Sequence, residues 1–467
     1  MTDYKLLIDG ELVDGKGSID VLNPATEEAF AKCPTADETQ LNAAVAAAKA
    51  AFPGWRAKPW GERQKALVQL ADALEAQKEE FGRLLTEEQG KPLPFAVGEM
   101  DAAIGTIRYF ASLELKNEVL EDDDKKKVIE QRTPLGVVAA ITPWNFPMVL
   151  LMIKVAPALL AGNTVVAKPA PTTPLTTLKF GEVAARILPK GVVNIIADNN
   201  DLGGLLTRHP DVAKVAFTGS TATGKKVMES VASTLKRITL ELGGNDAAIL
   251  LDDVEPKQAA ANVFAGATFN SGQVCVAVKR LYVHESMYDE VCDELARLAN
   301  DAVVDDGTKQ GTTMGPLQNR AQYEKVLGFI EDARQNGKII AGGADENRKG
   351  YFIRPTIVRD IPDSAKLVQE EQFGPVLPVL KYSDIDDAIR RANDSIYGLA
   401  GSVWSADPER ALEVAQKVES GTIWVNKCLD MDPTVPFGGS KQSGMGAEYA
   451  IDGLKEYTQR KIINMAK

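Results

Sequence analysis

Three residues combine reactive chemistry with settings that would present it. Cys275 ends FNSGQVC (Phe269–Cys275), where a helical segment gives way to a small-residue turn that leaves the thiol accessible. A cysteine becomes a useful nucleophile when local dipoles lower its pKa. Glu241 stands in LELGGN (Leu240–Asn245), at the end of a strand and just before two glycines, where a carboxylate would face an interdomain cleft. Asn145, in PWNFP (Pro143–Pro147), is an amide donor on a proline-braced loop. Singly, each has a bland reading as a packed or solvated side chain. Together, a thiol, a carboxylate and a rigidly mounted amide donor are a stronger signal than any one of them. The chain has only two histidines, His209 and His284, far apart, which removes HExxH zinc sites and most imidazole triads. A carboxylate is therefore the expected base. Cys33, Cys275, Cys292 and Cys428 are widely spaced with no CxxC pair, so they read as reduced thiols, and no metal site is expected.

GSTATGKK (Gly219–Lys226) follows a strand and opens a helix. It nearly matches the phosphate loop GxxxxGK[ST], but Lys226 replaces the hydroxyl that would hold magnesium. The free amides of such a helix start still make it an anion-site candidate. GxGxxG is absent, so a dinucleotide bound here would be held in a variant manner.

The elements that must position these residues follow from the apolar pattern. Helical periodicity covers about 38–51, 61–88 and 95–115. From Gly136 short apolar runs alternate with helices. Strands are expected at 136–141, 163–167, 192–197, 212–217 and 238–242, with helices at 148–160, 175–188 and 223–232. A second series has strands near 247–251, 280–284, 339–341, 376–380, 401–404 and 422–425, with helices near 255–269, 286–302, 321–336, 385–393 and 408–419. Continuous apolar strands separated by helices imply parallel sheets covered on both faces. The fold class is α/β, with two doubly wound Rossmann-like domains and a small β oligomerisation element. Residues 1–116 and 135–243 form the expected dinucleotide-binding domain, 244–445 the catalytic domain with the nucleophilic cysteine, and 117–134 and 446–467 the oligomerisation strands. The run EDDDKKK (Glu121–Lys127) reads as a solvated hairpin tip.

The chain of 467 residues is 45 % hydrophobic and 25 % charged, an ordinary globular profile that excludes disorder and collagen-like repeats. With 53 Lys and Arg against 65 Asp and Glu, the net charge of −12 argues against nucleic acid. The most membrane-like stretch, Phe146–Gly162, carries Lys154, Pro147 and Pro157 and falls short of a span, so a buried helix is expected. No secretory signal is visible in MTDYKLLIDGELVDG, and a soluble cytoplasmic protein is the expectation.

The whole chain resembles the aldehyde dehydrogenases of the large NAD(P)-dependent superfamily. The resemblance is carried by PWNFP, VAKPAPTTPL (Val166–Leu175), FTGST (Phe217–Thr221), LELGGN, GQVC, EEQFGPV (Glu370–Val376), ANDSIYGLA (Ala392–Ala400) and PFGGSKQSGMG (Pro436–Gly446), in order along the full length. It implies that Cys275 attacks the aldehyde carbonyl. The Asn145 side chain and the Cys275 backbone amide would hold the oxyanion, and Glu241 would activate the water that hydrolyses the thioester. Lys154 and Glu448 take positions of a proton relay behind that base. For the cofactor it places Lys168 on the adenosine ribose, Gly219 and Ser220 at the pyrophosphate, and Glu371 on the nicotinamide ribose. Trp144 and Phe373 pack nearby, and Thr142, Thr218 and Leu242 border the site. Pro171 stands where many NAD-preferring relatives carry a glutamate that repels a 2′-phosphate, so NAD is the first choice and NADP stays open.

The same resemblance lines the substrate tunnel with Met148, Val149, Ile153, Val274, Val276, Leu429, Asp430, Met431 and Phe437. Ile153 replaces an arginine used by succinic semialdehyde enzymes, and the lining lacks the several aromatics of a betaine aldehyde cage. A medium aliphatic or aromatic aldehyde is the implied substrate. Asp430 reads either as a loop acid or as a partner for a hydroxyl or amine. A partner subunit's tail is expected to extend a sheet across a homodimer or homotetramer interface. A coenzyme A-acylating enzyme of the same fold, and a catalytically silent binding or structural protein, are the alternatives.

Overall fold

The structure is a computed structural model that describes residues 3–344 and 348–467. Met1 and Thr2, at the start of the expected 1–116 segment, and residues 345–347, within 244–445, lie outside the described residues. Two mixed sheets organise the chain, one of eight strands and one of seven.

In the first sheet the parallel strands Val193–Ile195, Thr164–Lys168, Val137–Ile141, Val212–Thr218 and Arg237–Glu241 lie side by side in that order. Numbered along the chain this is 3-2-1-4-5, which reverses direction between Val137–Ile141 and Val212–Thr218. A doubly wound sheet opens a ligand crevice at such a point, beyond the carboxyl ends of the strands. Two of its edge strands escaped the sequence reading. Leu6–Ile8 and Glu11–Val13 form an antiparallel hairpin added beside Val193–Ile195, each too short to show a period. At the other edge Gly444–Met445 pairs antiparallel with Leu240 and Glu241, although the sequence groups 444–445 with the second unit.

The second sheet runs Lys338–Ala344, Ile353–Arg359, Val376–Tyr382, Val278–His284, Asp246–Leu250, Ala400–Trp404 and Thr422–Val425, all parallel except the first. Ile353–Arg359 was missed, because Arg354 and Pro355 break its apolar run. The expected 61–88 helix is two, Trp60–Glu75 and Lys78–Gln89, since Gln77 leaves helical geometry at φ −119° and ψ 11°.

The most apolar helix, Pro147–Ala161, starts with a proline that needs no N–H partner and stops at Gly162, whose φ is 97°. It is buried along almost its whole length in the core of the first sheet. Among the described residues no helix is long and apolar enough to cross a membrane. Thr458–Ala466 pairs antiparallel with Lys126–Pro134 of its own chain, which pairs in turn with Glu118–Asp122.

Candidate active site

The thiol, the carboxylate and the amide converge because three close approaches are left open by glycine. The turn before Cys275 passes through three left-handed residues, Asn270 (φ 50°), Ser271 (φ 59°) and Gly272 (φ 72°). A Cβ on Gly272 would lie 2.4 Å from the Gly374 carbonyl, so the turn packs directly on the loop that follows Glu371. A Cβ on Gly243 would lie 2.4 Å from a Glu371 carboxylate oxygen, and one on Gly244 would lie 2.6 Å from the Cys275 carbonyl. The two glycines after Glu241 therefore let the nucleophile loop and Glu371 close over the end of its strand.

Asn145 is held from both ends. Its side-chain Nδ2 donates to the Gln273 carbonyl at 3.0 Å, which leaves the second amide hydrogen free. Its backbone carbonyl accepts from Lys91 Nζ at 2.9 Å and from Asn270 Nδ2 at 3.1 Å. Lys91 is paired with Glu99 at 2.5 Å, each side chain being 1 % exposed. The other Glu99 oxygen accepts from the Met148 and Val149 backbone N–H at 2.9 and 3.3 Å, at the start of the Pro147–Ala161 helix. One buried ion pair thus ties the Asn145 loop to the helix it introduces. Neither Lys91 nor Glu99 was read from the sequence as belonging to the site.

The surroundings of Cys275 do not lower its pKa. Burial pushes the thiol up to about 12, with the Lys279 cation opposing the shift and the carboxylates of Glu241, Asp246 and Glu371 reinforcing it. Lys279 donates to the Val274 and Cys275 carbonyls at 2.8 and 2.6 Å and lies 3.8 Å from Glu371. A thiol in this setting reacts only when its proton is taken. Burial also holds the Glu241 carboxyl well above the usual carboxylate range, reinforced by Glu448 and opposed by Lys154. Glu241 Oε1 and Glu448 Oε2 are both buried without a partner, while Glu448 Oε1 accepts from Lys154 at 2.6 Å. Desolvated oxygens of this kind are suited to accept protons.

These groups face one cavity of about 470 Å³, walled by Asn145, Val149, Ile153, Thr218, Glu241, Val274, Cys275, Val276, Leu429, Met431, Phe437 and Glu448. Met148 is not in the wall. It points into the core of the first sheet. Asp430 is also outside and pairs with Lys427, half exposed, which makes it a loop acid. The aromatic-poor expectation fails too, because Phe95, Phe146, Phe269 and Tyr449 join Phe437 around the cavity. Phe95, Gly98, Ala102 and Gly105 bring one face of the Leu93–Ser112 helix to it. A Cβ on Gly98 or Gly105 would meet nothing within 4 Å.

The neighbouring crevice holds polar groups that lack partners. Thr142 and Thr218 follow or end the two strands that flank the reversal point, and both hydroxyls are buried without a hydrogen bond. Ser220 caps the Thr221–Ala232 helix, accepting from Thr223 N at 3.2 Å. Gly224 of that helix is in close contact with Leu242. Lys168, at the end of the adjacent strand, pairs with Asp198 at 2.5 Å, and Pro171 lies on the loop after it. Glu371 accepts from Gly244 N at 3.0 Å. Trp144 and Phe373 meet edge to face at 5.4 Å. Among the described residues no cluster of three or more His, Cys, Asp or Glu side chains is arranged to hold a metal.

A family model described as the aldehyde dehydrogenase family matches residues 12–463. The chain belongs to the aldehyde dehydrogenase family. It is 40 % identical to a phenylacetaldehyde dehydrogenase of Pseudomonas fluorescens, over 99 % of this chain and 96 % of that one. The NAD+ complex of an aldehyde dehydrogenase from Bacillus cereus superposes with a TM-score of 0.96 at 37 % identity, covering 100 % of this chain and 97 % of that chain. An E. coli NADP-dependent enzyme superposes with a TM-score of 0.97 at 36 % identity, covering 99 % and 98 %. Membership of the family accounts for the pair of doubly wound sheets. The unpartnered hydroxyls of Thr142 and Thr218, together with the Gly243 cradle for Glu371, fit a dinucleotide lying across the crevice.

Within the family fold, some site residues gave weak signals in sequence. Lys279 and Arg280 interrupt an otherwise apolar strand, which marks buried cations. Gly98, Ala102 and Gly105 recur at helical spacing without the bulk of a packed face. Asp198 gave no signal, since its partner lies on another strand.

Proposed function

We propose that this protein oxidises an apolar aldehyde to the carboxylic acid, with NAD or NADP as hydride acceptor. The observation that carries the reading is the cavity wall itself, where a thiol, an oriented amide and an unpartnered carboxylate oxygen face one apolar space. Glu241 takes the Cys275 proton, and the sulfur bonds to the aldehyde carbon to give a thiohemiacetal. The free Asn145 N–H and the Cys275 backbone N–H bind the oxyanion, and one such donor is typically worth about 3 kcal/mol of barrier. The dinucleotide, when bound, supplies the hydride acceptor that leaves a thioester on Cys275. Having passed the Cys275 proton on, Glu241 removes a proton from water as the water oxygen attacks the thioester carbon. The C–S bond breaks to release the acid and a thiolate, which regains a proton from Glu241. The Lys154–Glu448 pair stands behind Glu241 to pass the Cys275 proton on before hydrolysis.

The aromatic wall favours an aryl-substituted or medium aliphatic aldehyde. The presence of Glu241 weighs against transfer to coenzyme A, and retention of all three reacting groups weighs against a silent protein. Val119, Leu120, Ile462, Ile463 and Met465 are exposed on the three-stranded sheet, which supports burial between subunits of a homodimer or homotetramer. A reducing cytoplasm suits the four free thiols.

The test is reduced-nicotinamide absorbance with aryl, aliphatic, carboxylated and amino aldehydes, using NAD and NADP, with and without coenzyme A. Turnover of apolar aldehydes to free acids, lost in Cys275→Ala, is expected. A product that forms only as a coenzyme A thioester would overturn hydrolysis, and a fully active Cys275→Ala would remove the nucleophile.

A further inference from the structure

Lys168 is the cation that the family resemblance sets against the adenosine ribose, and Pro171 offers nothing there to turn a 2′-phosphate away. On those two residues alone the site would accept NADP. The structure adds a third. Asp198 follows the Val193–Ile195 strand, which runs beside the strand ending in Lys168. Its Oδ1 lies 2.5 Å from Lys168 Nζ, and the two side chains are 0 % and 5 % exposed. Its Oδ2 accepts from the Leu202 backbone N–H at 2.8 Å, so the carboxylate is fixed independently of the lysine.

We infer that Asp198 sets the cofactor preference of this chain, selecting NAD against NADP by occupying the charge of Lys168; the inference rests on the dinucleotide reading of the crevice. A ribose hydroxyl is neutral and needs only one donor. The ammonium has three N–H groups, of which one serves Asp198 and another makes only a long contact of 3.5 Å to the Pro169 carbonyl. The pair can therefore still serve a hydroxyl. A 2′-phosphate brings up to two negative charges to a pair whose net charge is zero, with a carboxylate in its approach. If Lys168 turned toward the phosphate instead, Asp198 would be left as a buried, unpaired carboxylate, which is strongly unfavourable. Asp198 thus does the excluding that Pro171 cannot, from the end of the neighbouring strand.

The test measures binding directly in the full chain carrying Cys275→Ala, so that no turnover intervenes. NAD and NADP are titrated by calorimetry into this protein and into the same protein with Asp198→Asn, which keeps an oxygen acceptor for Leu202. The parent is expected to bind NAD at least tenfold more tightly than NADP. Asp198→Asn is expected to strengthen NADP binding tenfold or more while NAD changes less than threefold, and the NADP gain should shrink in high salt. Asp198→Ser serves the same purpose if the asparagine variant does not fold. An NADP/NAD affinity ratio that stays within twofold of the parent, with NAD still bound, overturns the role of Asp198 and leaves the dinucleotide reading standing. Failure of the parent to bind either dinucleotide, or unchanged affinities in Lys168→Met, overturns both.

Discussion

The buried Lys91–Glu99 pair offers the sharpest test of how Asn145 is held. In Lys91→Met the carboxylate of Glu99 keeps its two helix N–H donors but loses its counter-ion, at 1 % exposure. Removing one partner of a buried pair typically costs about 3–5 kcal/mol, because the other charge is stranded. The ammonium also sits 3.9 Å from the centre of the Phe146 ring, a contact worth up to about 2 kcal/mol when desolvated. Glu99→Gln strands the lysine in the same way. The double variant Lys91→Met/Glu99→Gln leaves no buried charge at this position, so it should be more stable than either single variant. Urea unfolding midpoints should therefore rank wild type first, the double variant second and both singles last. Activity should not follow that ranking. Both variants lacking Lys91 lose the 2.9 Å anchor on the Asn145 carbonyl, and a misplacement of about 1 Å can cost about 100-fold in rate. The burst of reduced nicotinamide should accordingly slow by about tenfold or more even in the rescued double variant. Wild-type midpoints in the singles, or a double variant less stable than both, would refute the electrostatic argument. A full-rate burst in the double variant would refute the positioning one.

The remaining predictions concern the base and the pocket. Because Glu241 titrates well above an ordinary carboxylate, hydrolysis should be slow in acid and rise as pH passes through its folded pKa. Glu241→Gln should slow the burst itself, since the Cys275 proton loses its acceptor, and should block the hydrolysis that follows; steady wild-type turnover would exclude Glu241 as the base. The same shift means that folding binds the Glu241 proton more tightly. Its stabilising contribution is complete below the unfolded pKa of about 4.3 and is lost as pH rises through the folded value. Glu448→Gln removes the like charge beside Glu241 and should move the pH–rate profile to lower pH; an unmoved profile would separate the two groups. Gly98→Leu should fill the cavity mouth, lowering kcat/KM about tenfold for aryl aldehydes while sparing propanal, since its Cβ enters open space. Equal effects on both substrates would place the entrance elsewhere.

Much of this molecule was legible in its sequence. Parallel strands buried on both faces must be continuously apolar, so GVVAAI and its companions declared the first sheet and, by their order, its doubly wound path. Cys275, Glu241 and Asn145 stood at strand ends or small-residue turns, where side chains must face a crevice. Their motifs, spaced in family order, supplied the roles. What the sequence could not supply were quantities set by contact between distant segments. The two-residue strand Gly444–Met445 and the three-residue strand Leu6–Ile8 exist only because a sheet edge completes them. The high Cys275 pKa depends on how completely the fold withdraws water, which no local pattern reports. Met148 and Val149 are neighbours on one helix, yet rotation about its axis sends the first into the core and the second into the cavity. Asp198 lies thirty residues beyond Lys168, just past the end of the neighbouring strand, and only the pairing of those two strands makes one the counter-ion of the other.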